Sequence, residues 1–316
     1  VVFSILVLRF FCAPRKKTKH KTIGTYLAAA GAPGVTNNLG ESDQLMAPSS
    51  AATIAQNSKL RTQSSILPPV LTFALGIVVW EAIVRGFGVP LYLLPAPSAI
   101  IATFLQQPLY LLRIGLYTFG EALAGFVIGC TLGSLLAAVC VRFRGLAEGL
   151  VPFSVASNAV PIVALSPLLG VWLGSTTAAS KIGVVAVMTL FPTLVNVYRG
   201  LTSPSADSFQ LMRSYAARQS EIFLKLRLPA ALPHLFNALK ICATLSMIGA
   251  VVAEFFGGTQ NALGVYIKSQ AGILKLREAW SGILMACVLG IAFYLIIAAI
   301  ERVVMPWHVS FRRDRH

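Results

Sequence analysis

Six apolar runs, each near twenty residues long and parted by polar stretches, constrain this chain more than anything else in it. They lie at about 66–84, 116–141, 150–173, 182–197, 235–256 and 281–300. A helix rises about 1.5 Å per residue, so about twenty apolar residues cross the ~30 Å hydrocarbon core of a bilayer. In hydrocarbon, every backbone N–H and C=O has to be bonded inside the protein, and a helix does this within one segment. The expected fold class is an all-α polytopic membrane protein with about six transmembrane helices.

Composition agrees: 56% of residues are hydrophobic and only 12% are charged, against about 25% charged in an ordinary soluble domain. Mean hydropathy is +0.75. A net charge of +15 would suit nucleic acid or anionic lipid, but its placement beside apolar runs is that of topology signals. With residue 1 inside, the inner side holds Arg142, Arg144, Arg199, Arg213, Arg218, Lys225, Arg227, Arg302, Arg312, Arg313 and Arg315. The outer side holds Arg85, Arg113, Lys181, Lys268, Lys275 and Arg277. Eleven against six places both termini and the 203–233 loop in the cytoplasm, with membrane lipid and no nucleic acid as the surrounding partner.

Residues 1–64 read as a polar, disordered leader, 65–307 as the transmembrane domain and 308–316 as a basic cytoplasmic tail. The apolar stretch 1–12 is too short to span, and its basic run follows it, the reverse of a secretory signal. The first methionine is Met46, and translation is expected to start there or nearby, with 1–45 a mis-extended frame. Between the first two runs, Pro95 and Pro97 exclude a continuous helix, and Ser98 is a candidate cap for a short interfacial helix from Ala99.

The five cysteines form no CxxC pattern, and the four histidines have no ligand-spaced partner, so neither a disulfide framework nor a metal site is expected. The chain has no GxxxxGK[ST] phosphate loop and no nucleophile–base arrangement, so no catalytic residues and no bound cofactor are expected.

Between the fourth and fifth runs lies the polar stretch 203–233. Ser205 and Asp207 can cap a helix over 206–215, with Phe209, Met212 and Ala216 on one stripe. A second short helix, 219–226, presents Ile222, Phe223 and Leu226, and Leu228-Pro229 and Leu232-Pro233 are expected to end it before the fifth span. Such an elbow can dock into a groove on a soluble partner or pack on its own bundle.

From about Pro90 to Trp307 the chain resembles a permease of the nitrate/sulfonate/taurine type of ABC importer. The segments that carry the resemblance are, in order, LPAPSAI (94–100), TFGEALAGFVIG (118–129), VPIVALSPLLGVWLG (160–174), FPTLVNVYRGL (191–201), MRSYAARQSEIFLKLRLPAALP (212–233), IGAVVAEFFGG (248–258) and Glu301-Arg302 with Pro306-Trp307. The resemblance implies a type I ABC-importer permease fold in the plasma (inner) membrane of a prokaryote. It also implies a homodimer, a cytoplasmic ABC ATPase that uses ATP and Mg, and an extracytoplasmic solute-binding protein. The 203–233 stretch then matches the family's coupling loop, with Met212, Tyr215, Ala216, Ala217, Glu221, Phe223, Leu228 and Pro229 at the ATPase. The family's Glu-Ala-Ala falls on Gln210, Leu211 and Met212, and its turn glycine on Ala216. If that turn needs a positive φ, alanine costs about 1 kcal/mol there. The closest look is to permeases for hydroxymethylpyrimidine-type thiamine precursors or riboflavin, with nitrate, taurine and sulfonates also open.

Glu121 and Glu254 sit in apolar segments, where a charge costs at least about 2.5 kcal/mol, so each has to pair, be protonated or face water. They can line a translocation pathway or lock helices together. Asn158, Pro161, Ser166 and Pro167 interrupt the third run, and prolines there suit a span that borders a cavity; Asn158, Pro161 and Ser166 join the pathway candidates. Glu81 and Lys240, near span ends, are expected to snorkel. A secondary transporter or channel without an ATPase is the alternative function.

Overall fold

The computed structural model describes residues 67–157 and 159–306. The leader 1–64 with its Met46 start, Asn158, Trp307 and the tail 308–316 lie outside the described residues. Among the described residues, every regular element is a helix. The chain divides at 82/83 into two units. The described part of the first belongs to α1, Leu67–Gly86, whose 20 residues match one bilayer crossing.

The second unit is built around three long helices: α3 (Pro108–Arg142), α6 (Ala178–Leu201) and α9 (Leu228–Phe256). Both α3 and α9 pack along α6, and α11 (Leu276–Val304) closes the group against α9. Each of these four helices is long and apolar enough to cross a membrane. Short helices complete the unit: α2 (Pro97–Gln106), α4 (Arg144–Ser157), α5 (Ile162–Leu173), α7 (Ala206–Ser214), α8 (Gln219–Ile222) and α10 (Leu263–Gly272).

A glycine ladder makes the α3–α6 seam. A Cβ added to Gly125 would lie 2.5 Å from Val185 Cβ, one on Gly129 2.1 Å from Thr189 Oγ1, and one on Gly133 2.5 Å from Leu190 O. Spaced four residues apart, the glycines share one face of α3 and let the two backbones approach, which is how helices associate where water gives no hydrophobic drive. Thr193 Oγ1 then sits 3.4 Å from both Cys130 Sγ on α3 and Cys242 Sγ on α9. Cys130, Cys140 and Cys242 are buried free thiols.

Several expectations change here. The third run is not one span but α4 and α5, with the non-helical residues 159–161 between them, and neither reaches the length of a crossing. Pro161 has no N–H to donate and disfavours helical Val160, so the helix stops and restarts at Ile162. Pro97 sits in the first turn of α2, whose N-cap is Ala96, while Ser98 Oγ accepts from Arg85 instead of capping. Lys181, counted above among the outer charges, is buried inside α6. Lys240 pairs with Glu301 at 2.7 Å, tying α9 to α11 rather than reaching for the interface.

Candidate functional site

Two regions collect the candidate residues: the elbow between α6 and α9, and a cleft bordered by α5, α6 and α9.

The elbow begins with α7. Ser205 is its N-cap and accepts from Ser208 N at 3.4 Å. Its end is a Schellman turn: Ala217 N donates to Met212 O at 3.1 Å and Ala216 N to Arg213 O at 2.9 Å. Ala216 is the left-handed residue of that turn, with φ +53°. The position that the resemblance assigns to a glycine therefore has the backbone geometry that favours one. Glu221 opens α8 by accepting from Arg218 N at 2.9 Å and holds Lys225 at 3.1 Å.

The predicted end of the second short helix does not occur. A π-helical turn, Phe223–Arg227, leads straight into α9, with Leu228 N bonded to Phe223 O. Pro229 lies in the first turn of α9 and Pro233 inside it. Pro229 has no N–H and its ring crowds the carbonyl four residues back; a widened turn relieves that clash without breaking the helix.

Side-chain exposure separates the predicted docking residues. Tyr215 is 77% exposed, and Ala216, Leu228 and Pro229 are also open. Met212, Ala217 and Glu221 are half-buried. Phe223 packs inward on Ala137, Val197, Leu201 and Ala231, anchoring the elbow to its own bundle. Phe209 lies under the Arg227 guanidinium, 5.0 Å from its ring centre. Leu211 and Leu224 are exposed apolar residues that the stripe argument missed. Their one visible signal was an apolar residue in an otherwise polar stretch.

The cleft, about 300 Å3 in volume, is lined by Ser166, Pro167, Gly170, Ser175, Ser180 and Gly257 among others. Among the described pathway candidates, Ser166 alone lines it. Its hydroxyl is buried and donates to Ala253 O at 3.3 Å, tying α5 to α9. Pro161 is exposed at the start of α5.

Glu121 and Glu254 are turned into the bundle. Glu254, 1% exposed, accepts Thr118 Oγ1 at 2.7 Å on one oxygen and Gly264 N at 2.6 Å on the other. Thr118 Oγ1 in turn accepts from Leu263 N at 2.9 Å. Carboxylate and hydroxyl together satisfy the first two N–H groups of α10, groups that otherwise have no intrahelical partner. Gly264 allows this approach, since a Cβ there would lie 2.7 Å from Glu254 Oε2. Glu121 and Lys181 lie within electrostatic range of Glu254 and of each other. Lys181 Nζ donates to Ser175 O and Thr177 O, and Glu121 Oε2 is buried with no hydrogen-bond partner. Thr118 and Lys181 were missed above; a lysine beside an apolar run was the signal for one of them. Among the described residues, no group of three or more His, Cys, Asp or Glu is placed to hold a metal.

A helical bundle with four helices long enough to span, and a polar helical elbow between two of them, defines an integral membrane protein with a structured extramembrane loop. The description "binding-protein-dependent transport system inner membrane component" matches residues 129–307, and the chain belongs to that family. It is thus an ABC transporter permease subunit, and membership implies a solute-binding protein and an ABC ATPase as partners. The chain is 30% identical over 243 residues to the formylaminopyrimidine transport permease protein ThiX of Halalkalibacterium halodurans, covering 76% of this chain and 96% of that one. Over 242 residues it is 28% identical to the riboflavin transport system permease protein RibX of Chloroflexus aurantiacus, covering 76% and 90%. The putative aliphatic sulfonates transport permease protein SsuC of Bacillus subtilis is 27% identical over 252 residues, covering 78% and 87%.

Proposed function

We propose that this chain forms the translocation pathway of an ATP-driven importer for a small nitrogen heterocycle of the pyrimidine-precursor or riboflavin type. Two copies make the pathway, with both termini and the elbow in the cytoplasm. The chain binds no nucleotide; ATP and Mg belong to the ATPase, whose closing moves the elbows, and with them the bundles, as rigid bodies. The observation that carries this reading is the elbow. Exposed Leu211 lies on α7 and exposed Tyr215 at its end, and past the turn at Ala216 α8 runs through the π-helical turn without a break into α9, so force on the elbow reaches a long helix of the bundle. The substrate class rests on the two relatives named for a formylaminopyrimidine and for riboflavin.

The test is affinity purification from native membranes with mass spectrometry of what accompanies the chain. A P-loop ATPase is expected, and Tyr215→Asp with Leu211→Asp should remove it while the permease stays folded. Phe223→Asp is a poorer probe, because Phe223 packs the elbow on its own bundle and the change is expected to disturb the fold there as well. A chain that transports alone and ignores ATP would instead be a secondary transporter or channel.

A further inference from the structure

Among the described residues, two that are not glycine hold a left-handed backbone: Ala216 in the elbow and Leu274, φ +60°, between α10 and α11. The second turn is built like the first. Leu274 N donates to Ala271 O at 3.1 Å and Lys275 N to Gln270 O at 2.9 Å, a Schellman turn that glycine would make without strain. The apolar contact that usually accompanies such a turn is absent, since the two positions that would make it are Gln270 and Lys275. Instead, Ile273 and Leu274 stand 62% and 63% exposed at the tip. Lys268, Lys275 and Arg277, which flank them in sequence, are exposed too, and Glu278, the one acid between 263 and 280, is half-buried.

Strain of this sort persists only where the surroundings hold it, and α10 is held firmly. Leu263 N and Gly264 N are bound by Thr118 and Glu254, Tyr266 and Ile267 are buried with Leu111, Ile114 and Met285, and Lys268 Nζ donates to Phe255 O at 2.7 Å. The tip is therefore a fixed platform. It is joined to α9, whose 29 residues extend ~43 Å. The elbow runs into the start of that helix, and α10 is clamped to its end. With the elbow in the cytoplasm, the tip lies outside, on the side of the solute-binding protein.

An exposed apolar pair among cations suits a docking spot, in which an apolar centre gives affinity and a charged rim selects the partner. A bilayer surface also takes apolar and basic side chains, but it gains nothing from a strained and clamped turn. A protein partner does gain, because a surface already in its bound shape loses less freedom on docking.

We infer that the 273–277 tip is the docking surface for the extracytoplasmic solute-binding protein, and that it fits an acidic rim around an apolar recess on that partner. The inference rests on the importer reading above and adds to it the residues through which the outer partner reaches α9.

The test places a benzophenone maleimide on Leu274→Cys in the full chain, in native membranes that retain their partners, with the parent chain as the background for native thiols. Illumination is expected to join it to a solute-binding protein, identified by mass spectrometry. That protein is then purified, and its binding to the chain in nanodiscs of neutral lipid is measured. Lys275→Glu with Arg277→Glu should weaken binding about tenfold and flatten its salt dependence. Leu274→Gly separates docking from structure. It removes the strain and the apolar side chain together, so exchange of the Lys275 amide should slow while binding still weakens about tenfold. A merely structural tip would lose no binding from that change. Adducts with lipid alone, adducts with no solute-binding protein among them, or binding that Leu274→Gly leaves unchanged overturn the inference. Co-purification of an ATPase is measured separately. An ATPase without an adduct at position 274 sinks the tip alone, and a binding-protein adduct without an ATPase sinks the importer reading alone.

Discussion

Gly129 and Ala216 differ by one methyl group, and both positions favour glycine, each for a different reason. At Gly129, in the α3–α6 seam, the backbone is an ordinary helix and the space is missing: a Cβ would land 2.1 Å from Thr189 Oγ1 and 2.3 Å from Ala186 O. At Ala216, at the tip of the elbow, the space is free and the backbone is at fault, with φ +53°. The bundle is thus limited by packing, and the elbow by local geometry. Adding a Cβ should ruin the seam, and removing one should relieve the elbow.

The largest effect tests the seam. Gly129→Val is expected to cost about 3 kcal/mol or more, because the Ala186 carbonyl of the backbone blocks the new atoms as well as Thr189 Oγ1. Its signature is an unfolding temperature well below the parent's in detergent; an unchanged value would mean that α3 and α6 can part freely. Next comes the clamp on α10. Glu254→Ala strands Gly264 N and leaves the Thr118 hydroxyl only its longer bond to Ile114 O, at about 2 kcal/mol, and Glu254→Gln, which keeps an acceptor, should lose less. Hydrogen exchange at Leu263 and Gly264 reads this locally.

The elbow then gives the opposite sign. Ala216→Gly should stabilise it by about 1 kcal/mol, seen as slower exchange of the Ala217 amide, which closes the Schellman turn on Met212 O. Faster exchange would mean the left-handed residue is not what limits the turn. Smallest of all is Lys225→Ala. Its pair with Glu221 is exposed, so the unfolding temperature should not move measurably. A clear drop would show that the elbow, too, depends on tight packing.

What could be read in advance divides along the same line. The Ser205 cap and a helix from 206 were legible, because caps are decided by a few neighbouring residues, while the positive φ at position 216 was signalled only by the resemblance that assigns a glycine there. The four helices that meet the length and hydropathy of a crossing were legible for the same reason. Pro229 misled: a proline that usually stops a helix is absorbed by a π-turn when the following span pulls the chain onward. The packing of Phe223 was not legible either, since its stripe suits a partner's groove as well as its own bundle, and periodicity does not tell which surface it meets. The glycine ladder was on the page as Gly125, Gly129 and Gly133, and small residues four apart are a packing signal, but nothing in them names α6 as the partner.

The sequence by itself determined the all-α class, the membrane setting and the elbow between two spans. Those follow from hydropathy and from hydrogen bonds that close within four residues. The tertiary structure alone decided that Glu254 clamps α10, that Lys181 is buried and that serines line a cleft. Thr118 meets Glu254 across 136 residues of chain. A bond of that kind exists only after helices have chosen their neighbours, and that choice depends on the fit of whole surfaces rather than on any local run of residues.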